Sequence, residues 1–252
     1  MNDKITLSAR DLSAGYGSKI VLSDINFDLA EGQIISLIGP NGSGKSTLLK
    51  TLMGDLPPLK GNVLLGDRDL GELTRSEIAK AMAVMMTGNI RPEWMTCREM
   101  VASGRYPYTG LLGKLRAADD EAVDEAMELT GTSDLSSFYI TEISDGQRQR
   151  VLLAKAICQE PDILILDEPT TFLDIRYTLE FLNLLRLLAE KQHVTILMSL
   201  HELELVRLVS DRVICLKNAR MDADGGTEVL NDVYLRKLYG IGDNEFPGYR
   251  II

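Results

Sequence analysis

The sequence predicts an α/β protein with a parallel-sheet core, an antiparallel sheet near its start and a mostly helical insertion. Three observations carry that expectation. Short apolar runs at Ile34–Ile38, Ile163–Leu166 and Val194–Met198 read as buried parallel strands. A glycine-rich segment follows the first run and leads into a helical pattern. From about Asn89 to Gln159 the apolar positions take helical spacing and the strand signals stop.

Taken in order, Ile25, Phe27 and Leu29 alternate with polar residues, as in a half-buried strand of an antiparallel sheet. After the Ile34–Ile38 strand, Leu48, Leu49, Leu52 and Met53 follow helical spacing, with Gly54 as the stop. Ala118 to Leu129 reads as an acidic helix with Ala122, Val123, Ala126 and Met127 on one face. Val151 to Cys158 reads as an apolar helix ending before Pro161. A long helix with Leu179, Leu182, Leu185 and Leu188 in register separates two strands, and Val213–Leu216 is a further one. The length of 252 residues suits one domain. The expected division is a single domain over 1–240, with its core in about 1–87 and 159–240, a helical subdomain in about 88–158 and a short tail at 241–252.

Composition narrows the function. A net charge of −10 and a pI near 4.8 argue against nucleic-acid binding, which needs a basic surface. No apolar run approaches the roughly 20 residues that span a bilayer. The start, Met1-Asn2-Asp3-Lys4, has no signal-peptide core. Cys97, Cys158 and Cys215 have no metal-ligand spacing; Cys158 and Cys215, among apolar neighbours, read as small buried hydrophobes in a reducing compartment, so the cytoplasm is expected.

The chemistry gathers where strands end. Three strands stop just before Gly39, Asp167 and the stretch containing His201, and open α/β sheets bind ligands outside the carboxyl ends of their strands. Gly39, Pro40, Asn41, Gly42, Ser43, Gly44, Lys45, Ser46 and Thr47 match the phosphate-loop pattern. Its glycines let successive N–H groups face one anion at a helix N-terminus. Lys45 would reach the outer phosphates of a nucleotide, and Ser46 would ligate Mg²⁺. Asp167 ends an apolar strand, where a carboxylate needs a partner; Mg²⁺ shared with Ser46 would be one. Glu168 is placed to hold or deprotonate an attacking water. His201 would meet the γ-phosphate, whereas His193, beside Lys191 and Gln192, reads as a structural or surface residue. Tyr16, in Gly-Tyr-Gly, would stack on adenine.

With these residues in place the chain resembles the ATP-binding-cassette (ABC) ATPases over nearly its full length. Gly39–Thr47 looks like the Walker A loop of that family, Ile163–Glu168 like Walker B, and Ser144-Asp-Gly-Gln147 like the signature. Phe172-Leu173-Asp174 matches the D-loop, Tyr16 the adenine-stacking position and His201 the switch histidine. The resemblance implies a P-loop NTPase fold and ATP hydrolysis at a site holding ATP and Mg²⁺. It also implies a head-to-tail homodimer in which Ser144, Gly146 and Gln147 act on the partner's nucleotide. That agrees with physics: Ser144 and Gly146 sit at a predicted helix N-terminus, yet the same chain's phosphate loop already supplies one complete cradle.

Within the family the segment Met95–Tyr108 and the run Ser144–Arg150 are similar to importers of iron-siderophore, haem and cobalamin-type chelates. That similarity implies polytopic membrane permease partners, met near residues 105–112, and indirectly a substrate-binding protein. The chain would then lie on the cytoplasmic face of the cell membrane. Two positions depart from the pattern. Asp145 stands where glycine is commoner, and Thr87 stands where the family carries a glutamine that contacts Mg²⁺ and water and links the site to the permease. Hydrolysis is expected to survive with Glu168 intact, with coupling the more exposed function. The alternatives are a permease-free ABC ATPase such as an iron–sulfur assembly factor, a nucleic-acid-handling relative, and a clamp that binds ATP but hardly hydrolyses it.

Overall fold

A computed structural model of the chain describes residues 5–86, 92–110, 113–171, 173–242 and 245. In chain order the first half contains β1 (Ile5–Tyr16), β2 (Lys19–Ala30), β3 (Ile34–Ile38), α1 (Lys45–Leu52), β4 (Lys60–Leu65), β5 (Arg68–Asp69), α2 (Arg75–Ala81), β6 (Met82–Met85) and α3 (Cys97–Ala102). The second contains α4 (Ala117–Leu129), α5 (Asp145–Cys158), β7 (Ile163–Asp167), α6 (Ile175–Gln192), β8 (Thr195–Ser199), α7 (Leu203–Val209), β9 (Arg212–Lys217), β10 (Arg220–Gly225) and α8 (Asp232–Tyr239).

The strands form two sheets. One is antiparallel, in the order β2-β1-β4-β5. The other runs β10-β9-β3-β8-β7-β6 and is parallel except for its β10 edge. The apolar runs follow from cover on both faces of that sheet: every residue of β3, β7 and β8 is buried. Alternate residues then divide between two cores. Ile34, Ile38, Leu164, Leu166, Ile196 and Met198 join one, with α3 to α8. Ile35, Leu37, Ile163, Ile165 and Leu197 join the other, with α1, α2 and the antiparallel sheet. Helix α1 is therefore clamped between two sheets, directly behind the glycine-rich loop.

Most expected elements are present. Met53 caps α1, and Gly54 follows at φ 78°. In α4, Val123, Ala126 and Met127 are buried and Ala122 packs beside them. Helix α5 starts at Asp145, six residues before the apolar run, because Ser144 caps it and the long side chains of Arg148 and Gln149 are buried too. One expectation fails in α6. Leu182, Leu185 and Leu188 are buried, but Leu179 is 44% exposed. Steps of three rotate each residue about 60° short of a full turn, so four leucines cannot share one stripe. Thr178 and Phe181 are buried on this face instead. All three cysteines are buried with free thiols, and burial pushes Cys158 and Cys215 up to about 11.

Arg105 departs from its expected place at a permease-facing surface. Its side chain is 8% exposed and pairs with the equally buried Asp119 at 3.0 Å. It also donates to Cys158 O at 2.7 Å, pairs with Glu160 at 2.9 Å and stacks on the Tyr108 ring at 4.1 Å. Tyr108 Oη donates to Gln159 O at 2.9 Å. Two polar residues of the segment thus anchor it to the end of α5, and Tyr106 is its exposed aromatic. Of the stretch 105–112, residues 111 and 112 lie outside the described residues.

Candidate nucleotide site

Strands β3, β8 and β7 are neighbours, so the residues after their carboxyl ends meet at one edge. The loop from β3 to α1 curls as only glycine permits. Gly42 and Gly44 adopt φ of 78° and 101°, and a Cβ at Gly39 would lie 2.3 Å from Leu216 O. Lys45, at the start of α1, is buried, and its Nζ donates to Gly39 O at 2.7 Å and Pro40 O at 3.3 Å. Burial pushes the Lys45 ammonium below its ordinary range, while the Glu168 and Asp167 carboxylates pull it back up. Ser46 is exposed in the same turn; Thr47 is buried beneath it. Asn41 is exposed at the tip of the loop.

This cradle fits a polyphosphate. Ser43 Oγ is buried with no hydrogen-bond partner among the described residues, a costly state that a phosphate oxygen would relieve. Among the described residues, the hydrogen bonds of the Lys45 ammonium go to uncharged carbonyls, which a phosphate outcompetes. The Ser46 hydroxyl and Asp167 carboxylate are hard oxygen donors suited to Mg²⁺. Among the described residues no cluster of three or more His, Cys, Asp or Glu could hold a metal alone. Mg²⁺ sites of this kind take the remaining ligands from substrate phosphates and water.

The facing wall comes from β7 and β8. Asp167 is buried, and its Oδ1 accepts from Ser199 Oγ at 2.6 Å. Ser199 Oγ in turn accepts from Glu168 N at 2.9 Å. Glu168 adopts φ 48°, a left-handed conformation uncommon outside glycine. Its Oε1 lies 2.6 Å from His201 Nε2, and Thr171 Oγ1 donates to its carbonyl at 3.1 Å. Lys45, Asp167, Glu168 and His201 thus lie together at this edge. Ser199 was not anticipated; the signal was a serine directly after the apolar Ile196-Leu197-Met198. Tyr16 is half-exposed at the β1–β2 turn, opposite Lys19.

Residues 22–171 match the family model described as ABC transporter. The chain is 37% identical to the iron(3+)-hydroxamate import ATP-binding protein FhuC of Bacillus subtilis, covering 94% of this chain and 88% of that one. The ferric enterobactin transport ATP-binding protein FepC of Escherichia coli is 34% identical, with 93% and 87% covered. The chain belongs to the ABC transporter family. The fold of this ABC ATPase is also that of the ATP-binding cassette MJ0796, solved as a dimer in a post-hydrolysis state with ADP and Pi. That match has a TM-score of 0.77 at 23% identity and covers 88% of this chain and 98% of that one. The activity of an ABC ATPase is ATP hydrolysis coupled to transport.

The segment that resembles the family signature opens α5. Ser144 caps α5: its Oγ accepts from Gln147 N at 3.2 Å, and Gln147 Oε1 accepts from Ser144 N at 2.9 Å. Gly146 lies in the first turn. Asp145 pairs with Arg148, whose guanidinium also donates to Ile140 O and Ile143 O, tying the cap to the preceding loop. Asp174 caps α6 by accepting from Tyr177 N at 3.0 Å. Thr87 and Phe172 lie outside the described residues.

Proposed function

We propose that this chain is the ATPase subunit of an importer for an iron-siderophore, haem or cobalamin-like chelate. The observation that carries the nucleotide chemistry is the edge where β3, β7 and β8 end. There a phosphate cradle with an unpartnered buried hydroxyl faces the Asp167–Glu168 pair. The relatives named for hydroxamate and enterobactin support the substrate class. They also turn the reading away from an iron–sulfur assembly ATPase.

In this reading Lys45 leaves the carbonyls of Gly39 and Pro40 for the outer phosphates. The backbone of residues 39–47 holds the phosphate chain, and Tyr16 stacks on adenine. Ser46 and Asp167 hold Mg²⁺, which when bound neutralises charge on the transferring phosphoryl group. Glu168 takes the proton of the attacking water, with His201 orienting its carboxylate and meeting the γ-phosphate. Ser144, Gly146, Gln147 and Asp174 serve a second copy's nucleotide in a head-to-tail homodimer. The division is one domain over 1–240, with residues 88–158 as the helical subdomain that meets a membrane permease on the cytoplasmic face. Among the described residues no helix is long and apolar enough to cross a membrane. A polytopic partner would supply the path, and Thr87 would take the glutamine's place in coupling.

The deciding experiment is ATP turnover and chelate uptake in vesicles carrying the chain with its permease. Glu168→Gln should abolish both while leaving ATP binding intact. Continued turnover by that variant would refute the assignment, and turnover without chelate uptake would refute the cargo.

A further inference from the structure

Ser199 is the last residue of β8, wholly buried, and pairs in parallel register with Asp167 of β7. Its one hydroxyl makes two hydrogen bonds, to two consecutive residues. Glu168 N–H can only donate, so it takes a lone pair on Ser199 Oγ at 2.9 Å. The single hydroxyl proton goes to Asp167 Oδ1 at 2.6 Å. The relay therefore has one direction, from Glu168 N–H through the hydroxyl to the Asp167 carboxyl group. Its two ends have different tasks: Asp167 offers an oxygen for a cation, and Glu168 sits in a left-handed conformation that places its side chain against His201.

We propose that Ser199 is a positioning residue for the hydrolytic site: one hydroxyl fixes both the carboxylate that holds Mg²⁺ and the backbone that aims Glu168. The inference rests on the ATPase reading above. Without the hydroxyl, Asp167 Oδ1 loses its neutral donor and rotates about its side-chain bonds. Glu168 N–H loses its acceptor in a conformation that non-glycine residues hold only when their surroundings enforce it. Both effects act on the Mg²⁺-dependent part of the cycle and leave the Gly39–Thr47 loop untouched.

The test uses the full chain, a fluorescent non-hydrolysable ATP analogue titrated with and without Mg²⁺, and steady-state turnover. Ser199→Ala should bind the analogue as wild type does without Mg²⁺. It should lose about tenfold of the affinity that Mg²⁺ adds, with a fall of about tenfold in kcat, as expected for one lost bond to a charged group. Ser199→Thr keeps the hydroxyl but adds a methyl group to a closed site. It should melt at lower temperature while keeping the Mg²⁺ effect. A merely structural serine gives the reverse order, with Mg²⁺ dependence following melting temperature across the two variants, and that result would overturn the proposal. So would Ser199→Ala with unaltered Mg²⁺ dependence and kcat in a chain whose wild type binds and hydrolyses ATP. A wild-type chain that binds no nucleotide would instead bring down the ATPase reading, and this inference with it.

Discussion

Replacing Asp119 by alanine should destabilise the chain through a single buried pair. Arg105 and Asp119 have side-chain exposures of 8% and 7%, and their contact is 3.0 Å. Removing one partner of a buried ion pair typically costs about 3–5 kcal/mol, because the other charge is left in a poor environment. Arg105 keeps Cys158 O and the largely exposed Glu160, which favours the lower end. Asp119 has a second task, since its Oδ2 accepts from Arg116 N at 2.9 Å and caps α4. Loss of a cap adds about 1 kcal/mol. The total is about 4 kcal/mol, or a fall in Tm of roughly 8–16 °C for a chain of this size. Urea unfolding followed by circular dichroism, in the absence of nucleotide, would measure it. The dependence on pH has a definite sign. The Arg116 N–H and then the Arg105 guanidinium hold the Asp119 carboxyl below its ordinary range. Its stabilisation is therefore present above about pH 4, the unfolded value, and is lost as pH falls through the lower folded value. The gap between wild type and Asp119→Ala should narrow in acid. A cost below about 1 kcal/mol at neutral pH would show that Arg105 is satisfied without Asp119, and the reasoning would fail.

Other outcomes follow from single contacts. In α6, Leu182→Ala should cost about 2–5 kcal/mol, while Leu179→Ala stays within about 0.5 kcal/mol, both read by urea unfolding. Lys45 is held below its ordinary pKa by burial, so ATP affinity should begin to fall with rising pH earlier than an unperturbed lysine would allow. An affinity constant up to pH 10.5 would contradict this. Ser144→Asp keeps an equally good cap, so Tm should not move. It also places a carboxylate where the dimer reading puts a partner's phosphates, and turnover should fall at least about tenfold with ATP binding by the monomer retained. Unchanged turnover would rule out the trans role.

The strands that carry the site were legible because parallel strands covered on both faces must be apolar throughout, as Ile34–Ile38 and Ile163–Leu166 are. The phosphate loop was legible because its curl needs glycine at fixed positions. Less could be read where one residue answers to a distant one. Arg105 falls in the stretch expected to face a permease, and nothing local reveals Asp119 fourteen positions on or the carbonyl of Cys158. Ser199 is one small polar residue in an apolar run, and its meaning depends on the register of β7 against β8. Leu179 shows the converse: a regular spacing of three suggests a stripe that a helix of 3.6 residues per turn cannot keep straight.

Gln159, at the end of α5, gives that helix a pivot. Its Nε2 donates to Ala79 O and to Met82 O, where α2 hands over to β6. Arg105 and Tyr108 fasten the adjoining carbonyls of Cys158 and Gln159 from the other side. The fourteen residues of α5 make a lever arm of about 21 Å from that fulcrum to Ser144. A tilt of about 10° there swings the signature end by about 4 Å, longer than a hydrogen bond. On the dimer reading, a tilt of that size would carry Ser144 into or out of reach of a partner's phosphate.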